Sequence, residues 1–445
     1  MALRVILDQP VEGVGASVVV ERSPAGAAVG AYLDLAALPR LEPLLLGRPA
    51  AQVPPLVERL CGVCPAAHHL AGVAALEALA GFGPLPAEAR RVRRLLHYGS
   101  ALTMHALGFL AAGQAEAAAW RALGKLAQAA AGSPGHFPAS AQLGGVAAPM
   151  APDAAAACLA GAPAALELAR TLFAWAQAGA GGDGPGGADA APADRAGRLG
   201  AAGGSPGGGD GFGGADVALV DQAGRLDPLG QRLRAVGPDG AVLVAGAPAS
   251  QWDALVAERR PGAAASRPHL LVGGVDGGYY RVGPVAQLRV ADPATPAAAA
   301  LAAEWRERGG GALAARAVLA AACVEAIAAL AAGPRQVGAP LVAPAPDQAL
   351  DQAGRCGVGW VDGARGLLVH RYRVDAAGAV DQALILTPTA QNEYWLSRLL
   401  LAAVKRQAGE PGLELAIREA DPCLPCVAAP PGRMGVVVRT IAAEG

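Results

Sequence analysis

The spacing of apolar and polar positions predicts a mostly helical chain. Apolar residues recur three and four positions apart over Arg90–Ala119, Pro296–Arg308, Leu313–Ala331 and Gln391–Gln407, which is typical of helices that pack one face against a core. A further helix is predicted from His69 through Leu79.

Shorter apolar runs predict strands between these helices. They lie at Val217–Val220, Ala241–Val244, Tyr279–Val282, Ala286–Val290, Gly366–Val374 and Val380–Leu386, and residues 1–22 predict a hairpin. The predicted strands are short beside the helices. The fold class is therefore predicted to be α+β and predominantly α.

Residues 179–215 differ in composition from the rest of the chain. They are rich in Gly, Asp, Pro and Ala and almost lack aliphatic side chains, so they cannot bury enough apolar area to offset the entropy of ordering. We predict a disordered surface insert within a single domain that spans residues 1–445.

Charge and hydropathy narrow the functional class. The net charge is −1 and 16% of the residues are charged, which provides no basic face for nucleic acid. The most apolar segment, Ala312–Ala332, contains Arg316 and Glu325, so a buried bundle helix is favoured over a membrane span. The first residues have too short an apolar run for a secretory signal, which predicts a cytoplasmic protein unless a partner carries it to a membrane or exports it.

Four of the seven cysteines form two pairs near opposite ends of the chain. Cys61 and Cys64 make one Cys-x-x-Cys pair, and Cys423 and Cys426 make the other. Two such pairs can close one four-sulfur site for zinc, an iron–sulfur cluster or a soft late transition metal, and a lone pair can act as a redox dithiol. The spacing alone leaves these alternatives open.

The residues around both pairs form longer motifs. Residues 59–68 read Arg-Leu-Cys-Gly-Val-Cys-Pro-Ala-Ala-His, and residues 421–426 read Asp-Pro-Cys-Leu-Pro-Cys. Between them, residues 280–284 read Tyr-Arg-Val-Gly-Pro, residues 364–366 read Ala-Arg-Gly ahead of His370, and Pro388-Thr389 precedes Asn392. This ordered set resembles the large subunit of nickel-iron hydrogenases. The resemblance implies a large helical bundle around a buried metal site, with small peripheral sheets.

The same resemblance implies the metal ligands. Cys61 and Cys423 would be terminal ligands of nickel, and Cys64 and Cys426 would bridge nickel to an iron that carries carbonyl and cyanide ligands. Arg365 and Thr389 would donate hydrogen bonds to the cyanides, although the loop before Arg365 reads Asp-Gly-Ala where the family has Glu-Ala-Pro.

Proton-carrying residues are implied in the same way. Glu12 corresponds to the family's first proton carrier beside the nickel thiolates, so Glu12 and Cys423 would form the proton route. Glu116 stands where the family has an Asp in the proton network, and its usual histidine partner is Gly108. His68 is assigned to the same network. A hairpin glutamate without a catalytic role is the alternative for Glu12.

One family metal site is incomplete in this chain. The family binds magnesium with a Glu, here Glu42, and with a His three residues after the last cysteine, which is Ala429 here. A methyl group cannot bind a cation. We therefore expect no magnesium, or a basic residue paired with Glu42, and we expect the 19 residues after Cys426 (427–445) to remain attached.

Three functional hypotheses follow from the resemblance. The first is a hydrogenase catalytic subunit that needs an iron–sulfur small subunit, because no further cysteine cluster is present, and maturation factors that assemble its metal centre. The second is a non-catalytic maturation scaffold for the iron–dicyanide–carbonyl unit. The scaffold hypothesis is favoured by departures from the family pattern, which occur around Glu12 and at Gly108, Gln287, Arg289 and Ala429. The third is a hydrogen sensor with the same site.

Overall fold

The computed structural model describes residues 16–35, 42–181, 212–261, 263, 265–334, 338–346 and 353–443. Eight helices of more than ten residues form its main body: α1 Pro65–Ala80, α2 Ala87–Ala111, α3 Ala118–Ala130, α4 Pro152–Gly181, α5 Pro296–Arg308, α6 Ala312–Ala332, α7 Glu393–Lys405 and α8 Gly409–Ala420. Short helices lie at Val53–Val57, Trp252–Leu255, Gly274–Gly277, Pro284–Val290 and Pro388–Gln391.

The strands form small sheets around these helices. They are β1 Ser17–Arg22, β2 Ala28–Leu33, β3 Ala141–Gln142, β4 Gly145–Val146, β5 Ala215–Val220, β6 Arg232–Val236, β7 Val242–Ala247, β8 Val256–Glu258, β9 Pro268–Leu270, β10 Tyr280–Arg281, β11 Cys356–Gly363, β12 Gly366–Val374, β13 Val380–Leu386 and β14 Val437–Ala442. Their orders are β14-β1-β2, β10-β5-β6-β7 and β11-β12-β13, with two-stranded pairs β3-β4 and β8-β9.

The main core lies between the long helices. Helix α6 packs against α2 and α4, and α3 packs against α2. Leu95 and Phe109 of α2 and Trp120 of α3 are fully buried there. Burial of such side chains from water is the main favourable contribution to folding.

Helix α1 lies directly on strand β11. A Cβ atom at Gly359 would come within 2.3 Å of the carbonyl oxygen of Ala71, and one at Gly357 within 2.1 Å of that of Ala75. Only glycine allows this approach of strand to helix. The contact places α1, which begins directly after Cys64, beside the sheet that carries His370.

Most predicted elements agree with the structure, and two differ. The helix predicted over Arg90–Ala119 ends at Ala111, and a new helix begins at Ala118. The strand predicted at Ala286–Val290 is a short helix, Pro284–Val290, which starts after Gly283 in a positive-φ conformation (φ 103°). Proline at the first helical position favours such a start.

Two further predictions fall on segments that lie partly outside the described residues. Of the predicted insert 179–215, residues 182–211 lie outside the described residues, whereas α4 extends to Gly181 and Phe212 is buried. In the predicted hairpin of residues 1–22, the first strand also lies outside them. The described neighbours of β1 are β2 and β14.

Two helices are long and apolar enough to cross a membrane by length and composition: Pro152–Ala178 within α4 and Ala312–Ala332, which is α6. In the most apolar window of α6, 61% of the residues are buried inside the protein. Arg316 of α6 is also buried, in an ion pair with Asp421. Helix α6 is thus a core helix, as its charges predict.

Candidate metal centre

The first cysteine pair lies in the loop that leads into α1. Cys64 is the residue before the helix, and Pro65 occupies its first position, where its fixed φ and missing N–H are well tolerated. Gly62 between the cysteines does not have a positive φ, and a Cβ there would meet no atom within 4 Å. The loop therefore places both thiols without needing glycine at that position.

The second pair follows the end of α8. The helix ends at Asp421, which has a left-handed backbone conformation (φ 42°) that Asp adopts more readily than most residues. Pro422 follows and prevents the helix from continuing. The backbone N–H of Cys423 then donates to Thr389 Oγ1 at 2.7 Å, which fixes the start of the second pair.

Three of the four paired thiols line one cavity. The Sγ atoms of Cys61 and Cys423 are 3.3 Å apart although the residues are 362 positions apart in sequence. The ligand atoms of Cys61, Cys64 and His68 lie within 4.8 Å of one another. The cavity has a volume of about 260 Å³, and it is lined by Cys61, Cys64 and Cys423 together with His68.

This arrangement fits a soft metal. Two thiolate sulfurs bound to one tetrahedral metal, each at about 2.3 Å from it, are separated by roughly 3.7 Å. The distance of 3.3 Å between the Sγ atoms of Cys61 and Cys423 is close to that value. Thiolate donors select soft ions such as zinc, iron in clusters and late transition metals over calcium or magnesium. The donor set fits nickel and iron, and the sulfur geometry alone does not distinguish them from zinc.

The thiols share protons with one another. Hydrogen bonding from Cys423, and then from Cys64, lowers the pKa of Cys61. The contact with Cys61 raises the pKa of Cys423 to about 11, and the contact with Cys423 raises that of Cys64. In the metal-free protein Cys61 is thus the first of the three to ionise.

Arg365 lies over the cavity from the loop between β11 and β12. Its Nη1 is 3.8 Å from Cys423 Sγ, and its Nε donates to Asp421 Oδ2 at 2.8 Å. Burial would lower the pKa of Arg365, but the charges of Asp421 and Cys423 outweigh it and raise the pKa. The guanidinium is therefore a fixed positive charge beside the thiolates.

Arg316 of α6 is a second cation at the same carboxylate, and sequence reasoning missed it. Its side chain pairs with Asp421 Oδ2, and both residues are buried. A Cβ at Gly108 would lie 3.4 Å from Arg316 Cδ, so glycine at this position leaves room for the guanidinium. The absence of the family's histidine at Gly108 was the available signal.

His68 connects the cavity to strand β12. Its Nδ1 lies 3.0 Å from His370 Nε2, and His370 Nδ1 lies 2.5 Å from Tyr372 Oη. All three side chains are buried. Burial lowers the pKa of His68 to about 4, so both its nitrogens can take part as a neutral donor and acceptor. His68 adjoins the thiols of Cys61 and Cys64, and its place in a proton network stays a prediction.

The remaining predicted residues are placed differently. Cys426 is buried, but it is not among the residues that line the thiol cavity. Glu116 is exposed in a short turn, Ala115–Ala117, and does not line that cavity. Its position on the surface gives no support to a place in a buried proton network. Glu12 lies outside the described residues.

Glu42 and Ala429 stand at the positions where the family binds magnesium, and the structure describes both residues. Glu42 is half-buried in a short turn and lines both the thiol cavity and an outer groove. The carbonyl of Ala429 accepts a hydrogen bond from Arg418 Nη2 at 2.6 Å. That oxygen already has a cationic partner, and the absence of magnesium stays a prediction.

The chain is similar to known hydrogenases. A family model described as nickel-dependent hydrogenase matches residues 40–112. One subunit of the F420-non-reducing hydrogenase of Methanothermobacter thermautotrophicus is 27% identical, and the alignment covers 92% of this chain and 91% of that protein. A vhu subunit of the F420-non-reducing hydrogenase from Methanococcus voltae is 40% identical, but its alignment spans only 22% of this chain and 23% of the relative.

Comparison of the fold with solved structures also identifies hydrogenases as similar proteins. A crystal structure of an NAD⁺-reducing [NiFe]-hydrogenase in the H2-reduced state matches with a TM-score of 0.73 and 27% identity, over 92% of this chain and 97% of that one. The predicted fold class, α+β and mainly α, is confirmed by this match. The chain is thus similar to nickel-dependent hydrogenases in sequence, over residues 40–112 for the family model and over 92% of its length for one relative, and it is similar to them in fold.

Proposed function

We propose that this protein is the catalytic large subunit of a nickel-iron hydrogenase. The observation that supports this most strongly is the meeting of Cys61, Cys64 and Cys423 in one cavity beneath Arg365. These thiols come from opposite ends of the chain, and a disulfide or redox dithiol would need only one pair.

The chain's own residues would hold and orient the metal centre. When bound, a nickel–iron centre with carbonyl and cyanide ligands supplies the heterolytic cleavage of dihydrogen. Cys61, Cys64 and Cys423 would hold it, and Cys426 would need to turn toward the cavity to complete the predicted four-sulfur set. The thiolate of Cys423, 3.8 Å from the Arg365 guanidinium, would accept a proton at its sulfur, with Glu12 predicted as the next carrier.

Arg365 and Thr389 would act as donors toward polar ligands in the cavity. Both residues line it. The oxygen of Thr389 already accepts the N–H of Cys423, so its own O–H remains to be donated. An acceptor buried without a donor costs about 1–3 kcal/mol, and these two groups would offset that cost for cyanides on iron.

An electron-carrying partner is part of the proposal. Cys158 and Cys323 are buried singly in α4 and α6, and Cys356 is exposed at the start of β11, so they form no cluster. Exposed apolar side chains occur close to the thiol loop in sequence, at Val63, Leu44 and Leu46. We propose that they contact an iron–sulfur small subunit, since the relatives are themselves named as subunits of larger enzymes.

Elemental analysis combined with infrared spectroscopy on protein from its native host tests the proposal. We expect nickel and iron together with cyanide and carbonyl bands, and hydrogen-dependent dye reduction by the complex. Iron bands without nickel would instead identify a maturation scaffold. Zinc without such bands would refute both. A metal centre with hydrogen binding but slow turnover would indicate a sensor.

A further inference from the structure

A second cavity lies beside the thiol cavity, on the other side of the loop that precedes Arg365. It has a volume of about 60 Å³. Its lining includes the polar side chains of His97, His105, Gln287, Thr295 and Asp362. All but Thr295 are classed among the buried residues of the protein.

Three polar atoms of this lining have no hydrogen-bond partner among the described residues. They are His97 Nε2, His105 Nδ1 and Thr295 Oγ1, and each is inaccessible to bulk solvent. Buried polar atoms are nearly always paired with protein or with ordered water. The cavity volume of about 60 Å³ exceeds the roughly 10–15 Å³ that one water molecule requires, and these polar atoms can bind water there. Water is therefore the partner that fits these atoms.

The cavity adjoins the thiol cavity at one end. His97, Ala101, Gly363 and Ala364 line both spaces. The imidazole of His97 thus lies at the boundary, with its unpaired Nε2. Burial lowers the pKa of His97 to about 4, so the ring is neutral and carries one donor and one acceptor nitrogen.

The cavity also includes a partly exposed ion pair in its lining. Asp227 lines it and accepts two hydrogen bonds from Arg94, at 2.8 and 2.6 Å. The side chain of Arg94 is 33% exposed and that of Asp227 is 12% exposed. Because both side chains are partly exposed, this pair can exchange protons with solvent.

Asp362 also lines this cavity. Its Oδ2 accepts the N–H of Leu219 at 3.0 Å, and its Oδ1 accepts from Gln287 Nε2 at 2.5 Å. Both donors are uncharged. Burial outweighs these bonds and raises the pKa of Asp362 to about 7. A carboxyl group in this range takes up and releases protons readily at neutral pH.

Other ionisable groups face Asp362 across the cavity. They are His97, Tyr98, His105, Asp227 and Cys323. Burial lowers the pKa of His105 and raises those of Tyr98 and Cys323, so these three remain neutral near pH 7. Asp362 is the one buried carboxyl group of this lining that lacks a cationic partner among the described residues.

We propose that this cavity holds a chain of hydrogen-bonded water molecules that, through His97 and Asp362, carries protons between the thiol cavity and Asp227 at the surface. The proposal rests on the proposed function, which requires protons to enter and leave the thiol cavity. In each step one O–H or N–H bond breaks as the next forms, and Asp362 alternates between carboxylate and carboxylic acid. No group is oxidised or reduced.

The first test uses the full-length protein without metal and therefore does not depend on the proposed function. Infrared spectroscopy with 13C-labelled aspartate should show one carboxyl group that loses its proton near pH 7, and Asp362→Asn should remove that signal. The exposed Asp239→Asn is the matched control and should leave the signal unchanged. A crystal structure should show ordered water within hydrogen-bonding distance of His97 Nε2 and Thr295 Oγ1. An apolar, dry cavity, or no carboxyl titration near neutral pH, would overturn the proposal.

The second test uses the metal-loaded complex. Asp362→Asn should slow hydrogen–deuterium exchange with solvent by at least about tenfold and increase the solvent isotope effect, while the infrared bands of the metal ligands keep their positions. Asp362→Glu should restore most of the rate. Unchanged exchange in Asp362→Asn would refute the path while leaving the hydrogenase assignment intact. If the native complex lacks hydrogen activity altogether, the proposed function fails, and the metal-free measurements still decide whether the water chain exists.

Discussion

At the scale of single residues, the metal site depends on two thiols that the fold brings together from opposite ends of the chain. The Sγ atoms of Cys61 and Cys423 are 3.3 Å apart. The first cysteine lies just before the start of α1, and the second lies just after the end of α8. Neither local structure needs the other cysteine. Loss of one thiol should therefore remove the metal without unfolding the protein.

We predict that Cys423→Ser lowers the nickel content of the purified protein by at least about tenfold, because a serine hydroxyl is a poor ligand for a soft metal. Metal analysis measures the loss, and circular dichroism should show an unchanged fold. Cys356→Ser is the matched control, since Cys356 is exposed at the start of β11. Equal nickel in both variants would exclude Cys423 as a ligand.

Asp362 should make the stability of the protein depend on pH. Its pKa is raised to about 7 in the folded protein, against about 3.9 in the unfolded chain. Between these values the folded state binds more protons than the unfolded state, so its contribution to stability falls as pH rises from about 4 to about 7. The total change is on the order of 4 kcal/mol.

Denaturant titrations at several pH values test this prediction. Asp362→Asn should gain stability relative to the native protein as pH rises through that window, whereas Asp239→Asn should show a constant difference. A parallel pH dependence of the native protein and Asp362→Asn would mean that the carboxyl group ionises normally.

At the scale of elements, the contact between α1 and β11 sets the position of the first cysteine pair. Gly357 and Gly359 allow the strand to approach the helix backbone, and α1 starts directly after Cys64. The same contact brings His68 of α1 within 3.0 Å of His370 on β12. A larger residue on the strand would move the helix and with it the thiol loop.

We predict that Gly359→Ala destabilises the protein by at least about 3 kcal/mol, because its Cβ would overlap the backbone of α1 and overpacking has few routes of relief. Gly83→Ala is the control, since a methyl group at Gly83 would have no atom within 4 Å and the residue has no positive φ. Thermal unfolding distinguishes the two. Equal melting temperatures would show that α1 and β11 separate without cost.

The sequence predicted elements well where periodicity and local turn signals agreed. Helix α5 and strands β12 and β13 have the predicted bounds. The prediction failed at Pro284–Val290, a short apolar segment whose periodicity suits a helix or a strand equally. The continuous helix predicted over Arg90–Ala119 was also wrong, because the chain turns after Ala111, and this turn leaves Glu116 exposed.

The site was predicted in part, because motifs identify residues but not their partners. The resemblance correctly indicated Cys61, Cys64 and Cys423 as neighbours. It did not reveal that Arg316 would share Asp421 with Arg365. That pairing depends on how α6 packs against α8 and the loop before β12, which no local pattern encodes.

At the scale of the whole molecule, strands that lie far apart in sequence, β1 and β14, pair in one sheet. Strand β14, near the C-terminus, pairs in parallel with β1 and gives β1 a second neighbour besides β2. Met434 and Val436, just before β14, are buried in the main core. The segment after Cys426 is thus packed as part of the fold.

Two residues of α8 fasten this segment. Glu414 is buried and accepts the N–H of Gly432 at 2.9 Å, and Arg418 donates to the carbonyls of Val427 and Ala429 at 2.9 and 2.6 Å. Arg418 and Glu414 also pair with each other at 2.7 Å. Releasing the segment would leave a buried carboxylate without its backbone partner, which is unfavourable.

We therefore predict that the 19 residues after Cys426 (427–445) stay attached in the mature protein. Intact-mass measurement on protein from its native host should give the mass of the full chain at its C-terminal end. As a structural check, Arg418→Met should make the segment cleavable by trypsin under native conditions, because the four hydrogen bonds that Arg418 donates to Glu414, Val427 and Ala429 are lost. The exposed Arg406→Met should not have this effect. A native mass short of residues 427–445 would refute the prediction, and it would show that closure of the metal site in this protein proceeds by removal of β14 despite the missing histidine at Ala429.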